Sequence, residues 1–150
     1  MIKIEFNDRD VLTALQNLER ATGNLRPALT EIGEVLKEST KQRFGSQTSP
    51  GGQHWPANSP VTIERKGRNQ PLTGETGILM DTINYYPVGN DTLEIGSPMG
   101  YAAMQQFGGT KGEFPHLWGD IPDRPFLGVS EDDKDEILSI INRHLSDALE

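Results

Sequence analysis

Residues 121–128, IPDRPFLG, stand directly before the last amphipathic segment of the chain and limit how the rest of it can fold. Pro122 and Pro125 keep the backbone extended, so little conformational entropy is left to lose on docking. We expect Phe126 and Leu127 to fix this segment to the core or to a neighbouring molecule. We expect Arg124 to contact a carboxylate or backbone carbonyls. The alternative is a rigid connector that only orients the following helix.

A final helix is predicted immediately after this octapeptide. Ser130 can cap its first turn, and the acidic run at 131–133 complements the positive helix terminus. His144 lies near the other end, where a cation interacts favourably with the helix dipole. The predicted buried stripe of this helix is Ile137, Leu138, Ile141, Leu145 and Leu149.

Two short strands and a short helix are predicted before the octapeptide. TINYYPV at 82–88 and TLEIGS at 92–97 alternate apolar and polar residues around the turn GND, which is typical of a hairpin. Pro87 marks a sheet edge or a strand end, because proline has no N–H group to donate. YAAMQQFGG at 101–109 predicts one or two helical turns that end at its glycines.

The N-terminal part of the chain predicts a strand followed by a helical hairpin. MIKIEF at 1–6 alternates apolar and charged residues, which indicates a half-buried strand. Asn7 or Asp8 can cap a first helix that Gly23 ends. The apolar stripe of this helix is Val11, Leu12, Leu15 and Leu18.

A second helix is predicted directly after the first. Asn24 can cap it, Pro27 fits its first turn, and Gly45 is expected to stop it after Phe44. Its apolar stripe is Leu25, Ala28, Leu29, Ile32, Val35 and Leu36. The tight turn between the two helices makes them antiparallel neighbours.

Residues 46–78 lose this periodicity and contain many Gly and Pro residues. We expect a long irregular arm that is flexible in the free subunit and becomes ordered on a partner. Trp55 is its main apolar residue, and Ser59 can cap one helical turn. Arg65 and Lys66 form either a contact with an acidic neighbouring subunit or an ordinary solvated loop.

The composition fits a single domain over residues 1–150. Hydrophobic residues make up 34%, which predicts a modest core. The formal net charge of -8 disfavours a surface that binds nucleic acid. No apolar stretch approaches the roughly 20 residues of a membrane helix. The predicted fold class is α+β: a small antiparallel sheet packed with the N-terminal helical hairpin and the C-terminal helix, plus the long irregular arm.

No catalytic residue, cofactor site or metal site is predicted. The three histidines lie far apart in the sequence, and none has a recognised metal spacing. Acidic residues in irregular segments have no apolar pocket pattern around them. Binding or assembly is therefore favoured over catalysis. Aromatic residues on the loops either fold back on the core or anchor an interface; they are Trp55, Phe107, Phe114, Trp118 and Phe126.

Five motifs in a fixed order resemble the phage virion morphogenesis family, the tail-completion proteins of Mu-like and related contractile-tailed phages. They are GGQHW at 51–55, SPVTIERKG at 59–67, LTGETGILMDTI at 72–83, IGSPMGYAAMQQFGG at 95–109 and IPDRPFLGVS at 121–130. Two elements depart from the family pattern. Residues 49–52 replace an Asp-Pro-x-Gly element, and Gln105 stands where a histidine is common. Gln105 offers hydrogen bonds but no proton transfer at neutral pH.

The resemblance implies a structural, non-enzymatic protein of the virion tail or neck, made in the bacterial host cytoplasm. It implies completion of the tail or neck so that heads and tails join. The implied partners are other copies in a ring, predicted to be hexameric, and neighbouring tail or neck proteins. No membrane, small-molecule substrate or sequence-specific nucleic acid is expected. The alternatives are a phage enzyme acting on cell wall or capsid proteins, and a head morphogenesis factor absent from the mature virion.

The expected interface residues come from the loops and from the best-matching motifs. They are Trp55, Arg65, Lys66, Tyr101, Gln106, Phe107, Arg124, Pro125, Phe126 and Leu127.

Overall fold

The computed structural model describes residues 6–56, 78–89, 92–99, 102–110, 112–113 and 122–149. Within these ranges the α+β class is confirmed, with an N-terminal helical pair, an antiparallel hairpin and a C-terminal helix. The elements are α1 (Arg9–Thr22), α2 (Arg26–Ser46), α3 (Ile78–Asp81), β1 (Asn84–Val88), β2 (Thr92–Gly96), α4 (Ala102–Phe107) and α5 (Glu131–Ala148).

Helix α1 is bounded by the two capping residues that the sequence predicts. The Asp8 carboxylate accepts hydrogen bonds from the backbone N–H groups of Asp10 at 2.9 Å and Val11 at 3.1 Å. Gly23 ends the helix with φ 69°, a left-handed conformation that glycine adopts without strain. Leu12 is 45% exposed, so its predicted place in the buried stripe is wrong. Leu12 follows the buried Val11, and its side chain points about 100° further around the helix, outside the packed face.

Helix α2 is longer than predicted. Its first turn contains Pro27, and the Asn24 side chain accepts a hydrogen bond from the N–H of Arg26 at 3.1 Å. The prediction that Gly45 stops the helix is wrong, because the helix continues through it. The left-handed residue is Gln47, with φ 58°, whose N–H donates to the Arg43 carbonyl at 2.7 Å. The Gln47 carbonyl in turn accepts the N–H of Trp55 at 2.7 Å, which fixes the turn by a contact with the following loop.

Helix α5 runs antiparallel to α2 and parallel to α1. At its start, the Lys134 ammonium lies 2.9 Å from an Asp8 carboxylate oxygen. Near its end, Glu31 of α2 contacts both Arg143 and His144. The predicted stripe of α5 is confirmed for Ile137 and Ile141, and Ile140 is buried as well. Leu149 lies beyond the helix and is 73% exposed, so its predicted burial is wrong.

Strands β1 and β2 form the predicted antiparallel hairpin, which packs on α2. Tyr85 pairs with Ile95, and Pro87 pairs with Leu93. The Tyr85 ring packs closely against Gly33 of α2. The side chains of these four strand residues are half-buried, whereas the outer face is exposed. The predicted N-terminal strand falls on residues 1–5, which lie outside the described ranges.

Two hydrophobic clusters meet along α2. The first joins α1, α2 and α5 and contains Val11, Leu18, Leu25, Ala28, Leu29, Ile32, Leu36, Ile137, Ile140 and Ile141. The second, which we call the aromatic cluster, contains Phe44, Trp55, Leu79, Ile83, Ala102, Phe126 and Leu127. The aromatic cluster is assembled from short segments that are distant in the sequence. It therefore depends on contacts that fix those segments to one another.

The contact between α2 and the hairpin predicts opposite effects of alanine at two glycines of the same helix. A Cβ atom on Gly33 would lie 2.4 Å from Cδ2 of the rigid Tyr85 ring, whereas a Cβ atom on Gly45 would meet nothing within 4 Å. Gly33→Ala should lower the free energy of unfolding by about 1–3 kcal/mol. Gly45→Ala should raise it by about 0.5–1 kcal/mol through helix propensity. Urea denaturation measures both, and equal effects at the two sites would contradict this packing.

Candidate functional site

The segment before α5 is the centre of the aromatic cluster. We call residues 122–129 the strap. Phe126 of the strap is fully buried, and its ring centroid lies 5.7 Å from that of Phe44. Phe44 also contacts Trp55 edge to face, with centroids 5.5 Å apart. The loop aromatic residues were predicted either to fold back on the core or to anchor an interface. Trp55 and Phe126 fold back on the core.

The Gln106 side chain of α4 holds the main chain of the strap. Its carbonyl oxygen accepts the N–H groups of Phe126 and Leu127, each at 3.0 Å. Its amide nitrogen donates to the Leu127 carbonyl at 3.1 Å. The Arg124 N–H donates to the Gln105 carbonyl at 2.7 Å, which adds a backbone contact. Gln106 is only 6% exposed, so these bonds form away from water, where leaving them unmade would be costly.

Arg43 of α2 holds the other side of the strap. Its Nη1 atom donates to the carbonyls of Phe126 at 2.8 Å and Gly128 at 3.2 Å. Its Nη2 atom pairs with the Asp133 carboxylate and donates to Ser39 Oγ at 3.2 Å. Burial lowers the pKa of the Arg43 guanidinium, and the neighbouring Asp133 carboxylate opposes that shift. One buried cation thus binds the strap and α5 together.

Asp133 completes this arrangement at the start of α5. Its N–H donates to Ser130 Oγ at 3.0 Å, and its carboxylate accepts the Ser130 N–H at 3.1 Å. The reciprocal bonds form a capping box, which satisfies N–H groups that the helix leaves unpaired. The carboxylate also accepts the Ser39 hydroxyl at 2.6 Å. The same side chain therefore caps α5 and neutralises Arg43.

The loop after α2 closes over the strap. Thr48 pairs with His54 as in an antiparallel ladder, and the indole N–H of Trp55 donates to the Pro125 carbonyl at 2.8 Å. The Arg124 Nε atom donates to the Pro56 carbonyl at 2.9 Å. Arg124 therefore contacts a backbone carbonyl, as predicted, and this carbonyl belongs to its own subunit. Burial lowers the pKa of the Arg124 guanidinium.

The structure separates the expected interface residues into three groups. The buried group faces the interior of the subunit and comprises Trp55, Gln106, Arg124, Phe126 and Leu127. Pro125 is half-buried, and Phe107 is 61% exposed at the end of α4. Arg65, Lys66 and Tyr101 lie outside the described residues, as do the predicted turn at Ser59 and most of the arm.

The sequence predictions missed the buried pair formed by Arg43 and Asp133. Both carried a detectable signal. Arg43 lies one helical turn after the buried Thr40 and beside the buried Phe44, so it falls on the apolar stripe of α2. Asp133 occupies the third position after a Ser cap, which is the capping-box pattern.

The contacts of this site hold backbone in place. Among the residues that the structure describes, no group of three or more His, Cys, Asp or Glu side chains is positioned to bind a metal ion. His144 contacts Glu31 at 3.1 Å, and His54 is exposed on the loop after α2. No helix in the described ranges is long and apolar enough to cross a membrane.

Comparison with known proteins identifies the protein family to which this chain belongs. The model of the phage virion morphogenesis family matches residues 6–146. This range includes the strap and the residues that hold it, which are Gln106 on one side and Arg43 with Asp133 on the other. The chain belongs to this family. The motif resemblance is thereby confirmed for nearly the whole chain.

Two relatives from this family match the chain along almost their full lengths. The Mu-like prophage FluMu G protein 2 of Haemophilus influenzae is 31% identical over 142 residues, covering 94% of each protein. The putative capsid assembly protein G of Escherichia phage Mu is 32% identical, covering 99% of this chain and 96% of the relative. No solved structure matches the chain significantly.

The buried ion pair predicts a large loss of stability in Arg43→Met. This variant leaves the Asp133 carboxylate buried without its cation, so the free energy of unfolding should fall by about 3–5 kcal/mol. Arg143→Met is the matched control, since its pair with Glu31 has side chains that are 55% and 45% exposed. The control should lose less than about 1 kcal/mol. Similar losses in urea denaturation would contradict a central role for Arg43.

The close approach of the strap to the loop after α2 predicts different losses of stability when alanine replaces Gly128 and when it replaces Gly52. Gly128 has φ 150°, and a Cβ atom there would lie 2.7 Å from Cγ of Pro50. Gly52 has φ 90°, and its Cβ atom would meet nothing within 4 Å. Gly128→Ala should therefore destabilise the protein by about 1–3 kcal/mol more than Gly52→Ala. Thermal unfolding of both variants measures this, and an equal loss would show that the contact with Pro50 is unimportant.

Proposed function

We propose that this protein is a structural component of the phage virion that completes the tail or neck and allows heads and tails to join. The observation that carries the proposal is the family match over residues 6–146. The two relatives match the chain along nearly their whole lengths, which supports a common role.

We propose a non-enzymatic role. The polar side chains with the most distinctive environments, Arg43, Gln106 and Asp133, are occupied in hydrogen bonds to backbone and to one another. Groups that serve as acids, bases or nucleophiles in enzymes are instead arranged around a site that a substrate can reach. This arrangement supports assembly through a well-ordered surface.

The proposed mode of assembly is a ring of identical subunits with heterologous contacts, predicted to be hexameric, beside other tail or neck proteins. Phe107 is the most suitable described residue for such a contact. Its side chain is 61% exposed, while the preceding Gln106 is fixed by hydrogen bonds inside the subunit. A rigidly presented aromatic side chain loses little entropy on docking.

A role in head assembly is the second candidate. The relative from phage Mu carries the name putative capsid assembly protein G, which favours a function before the head is complete. In that case the protein would be absent from the mature virion. The two candidates make different predictions for a phage that lacks the gene.

The deciding experiment is electron microscopy of lysates and of unlysed cells from a phage or prophage carrying a deletion of this gene. Tail completion predicts DNA-filled heads beside unattached tails. Aberrant or missing heads would contradict it and favour the head-assembly function. Complete particles trapped in unlysed cells would contradict both and favour an enzyme that acts on the cell wall.

The exposed position of Phe107 predicts the behaviour of a complementing variant. Phe107→Ser should remain folded, because its side chain contributes little to the core, but should support roughly tenfold fewer joined particles through a weakened contact. Leu149→Ser is the matched control, since this side chain is 73% exposed directly after α5. Particle counts by microscopy measure the effect. Equal yields from the two variants would exclude Phe107 as a contact residue.

A further inference from the structure

Two sets of side chains, which we call clamps, hold the main chain of the strap. On one side, the Gln106 side chain holds the N–H groups of Phe126 and Leu127. On the other, Arg43 holds the carbonyls of Phe126 and Gly128. The two clamps therefore act on opposite sides of one shared peptide group, which joins Phe126 to Leu127.

The second clamp continues into the first turn of α5. The Asp133 carboxylate that pairs with Arg43 also accepts the N–H of Ser130, and Ser130 Oγ accepts the N–H of Asp133. If the strap moves away, Arg43 loses its carbonyl acceptors and its position against Asp133 changes. The capping box then loses the partner that fixes its carboxylate.

We propose that the strap is a conformational relay, in which the docking of α4 and the capping of α5 are coupled through the strap. The relay runs from Gln106 through the strap to Arg43 and Asp133. It connects the surface that carries Phe107 with the start of α5. A binding contact at the end of α4 would therefore change the stability of the hydrogen bonds in the first turn of α5. The coupling lies within one subunit and does not depend on which protein the subunit meets.

Native-state hydrogen exchange tests the relay, because each part has its own reporter amide. The N–H groups of Phe126 and Leu127 report on the strap. The N–H of Lys134, which donates to the Ser130 carbonyl at 2.9 Å, reports on the first turn of α5. The N–H of Leu29, which donates to the Leu25 carbonyl at 2.9 Å, is a reference in the other cluster.

Gln106→Ala should raise the exchange rate of the Lys134 amide by about tenfold, although Gln106 makes no hydrogen bond to α5. The Leu29 amide should change by less than about twofold. Gln105→Ala is the matched control, since the neighbouring glutamine contributes only its backbone carbonyl to the strap. A Lys134 rate equal to that in the control would overturn the relay. An equal rise at Leu29 would also overturn it, since the effect would then be global.

Two further variants keep the test decisive if Gln106→Ala does not fold. Gln106→Glu retains acceptors for the N–H groups of Phe126 and Leu127 but places a carboxylate oxygen against the Leu127 carbonyl, so its effect should be in the same direction. In the reverse direction, Asp133→Asn should raise exchange at the Phe126 and Leu127 amides by about tenfold. Unchanged strap amides in Asp133→Asn would contradict the proposed coupling.

Discussion

The buried ion pair between Arg43 and Asp133 is the contact on which the rest of this structure depends. Removing two charges from water is unfavourable unless their remaining hydrogen-bonding capacity is also satisfied. Here the strap carbonyls, Ser39 and the capping box satisfy it. The requirement fixes the direction of the strap and the position at which α5 begins. The apolar contacts of Phe126 then follow from where its backbone is held.

This arrangement explains why a proline-rich segment precedes the last helix. The strap has no regular secondary structure, so its peptide groups need partners from elsewhere in the chain. Gln106 and Arg43 supply these partners, and the indole N–H of Trp55 donates to the Pro125 carbonyl. The two motifs that contain Gln106 and the strap thus pack against each other inside the subunit, whereas Phe107 is 61% exposed.

The sequence predicted those features whose causes are local. Asp8, Gly23 and Ser130 were correctly identified as caps because capping depends on residues within one turn. The end of α2 was missed, because Gln47 is fixed by the later Trp55. The place of Arg43 on the apolar stripe of α2 is a local signal, but its pairing was not predictable because Asp133 lies 90 residues away. The inward direction of Gln106 likewise depends on the strap, whose Phe126 N–H lies 20 residues later in the sequence.

The most direct test of the central claim, that the strap belongs to the core of the isolated subunit, is hydrogen exchange of the unmodified protein in solution. The amides of Phe126 and Leu127 should be protected to within about tenfold of the Leu29 amide of α2, because all three donate to acceptors inside the subunit. Exchange of both strap amides at the rates of an unstructured peptide would contradict the claim. The strap would then be ordered only in the assembled virion.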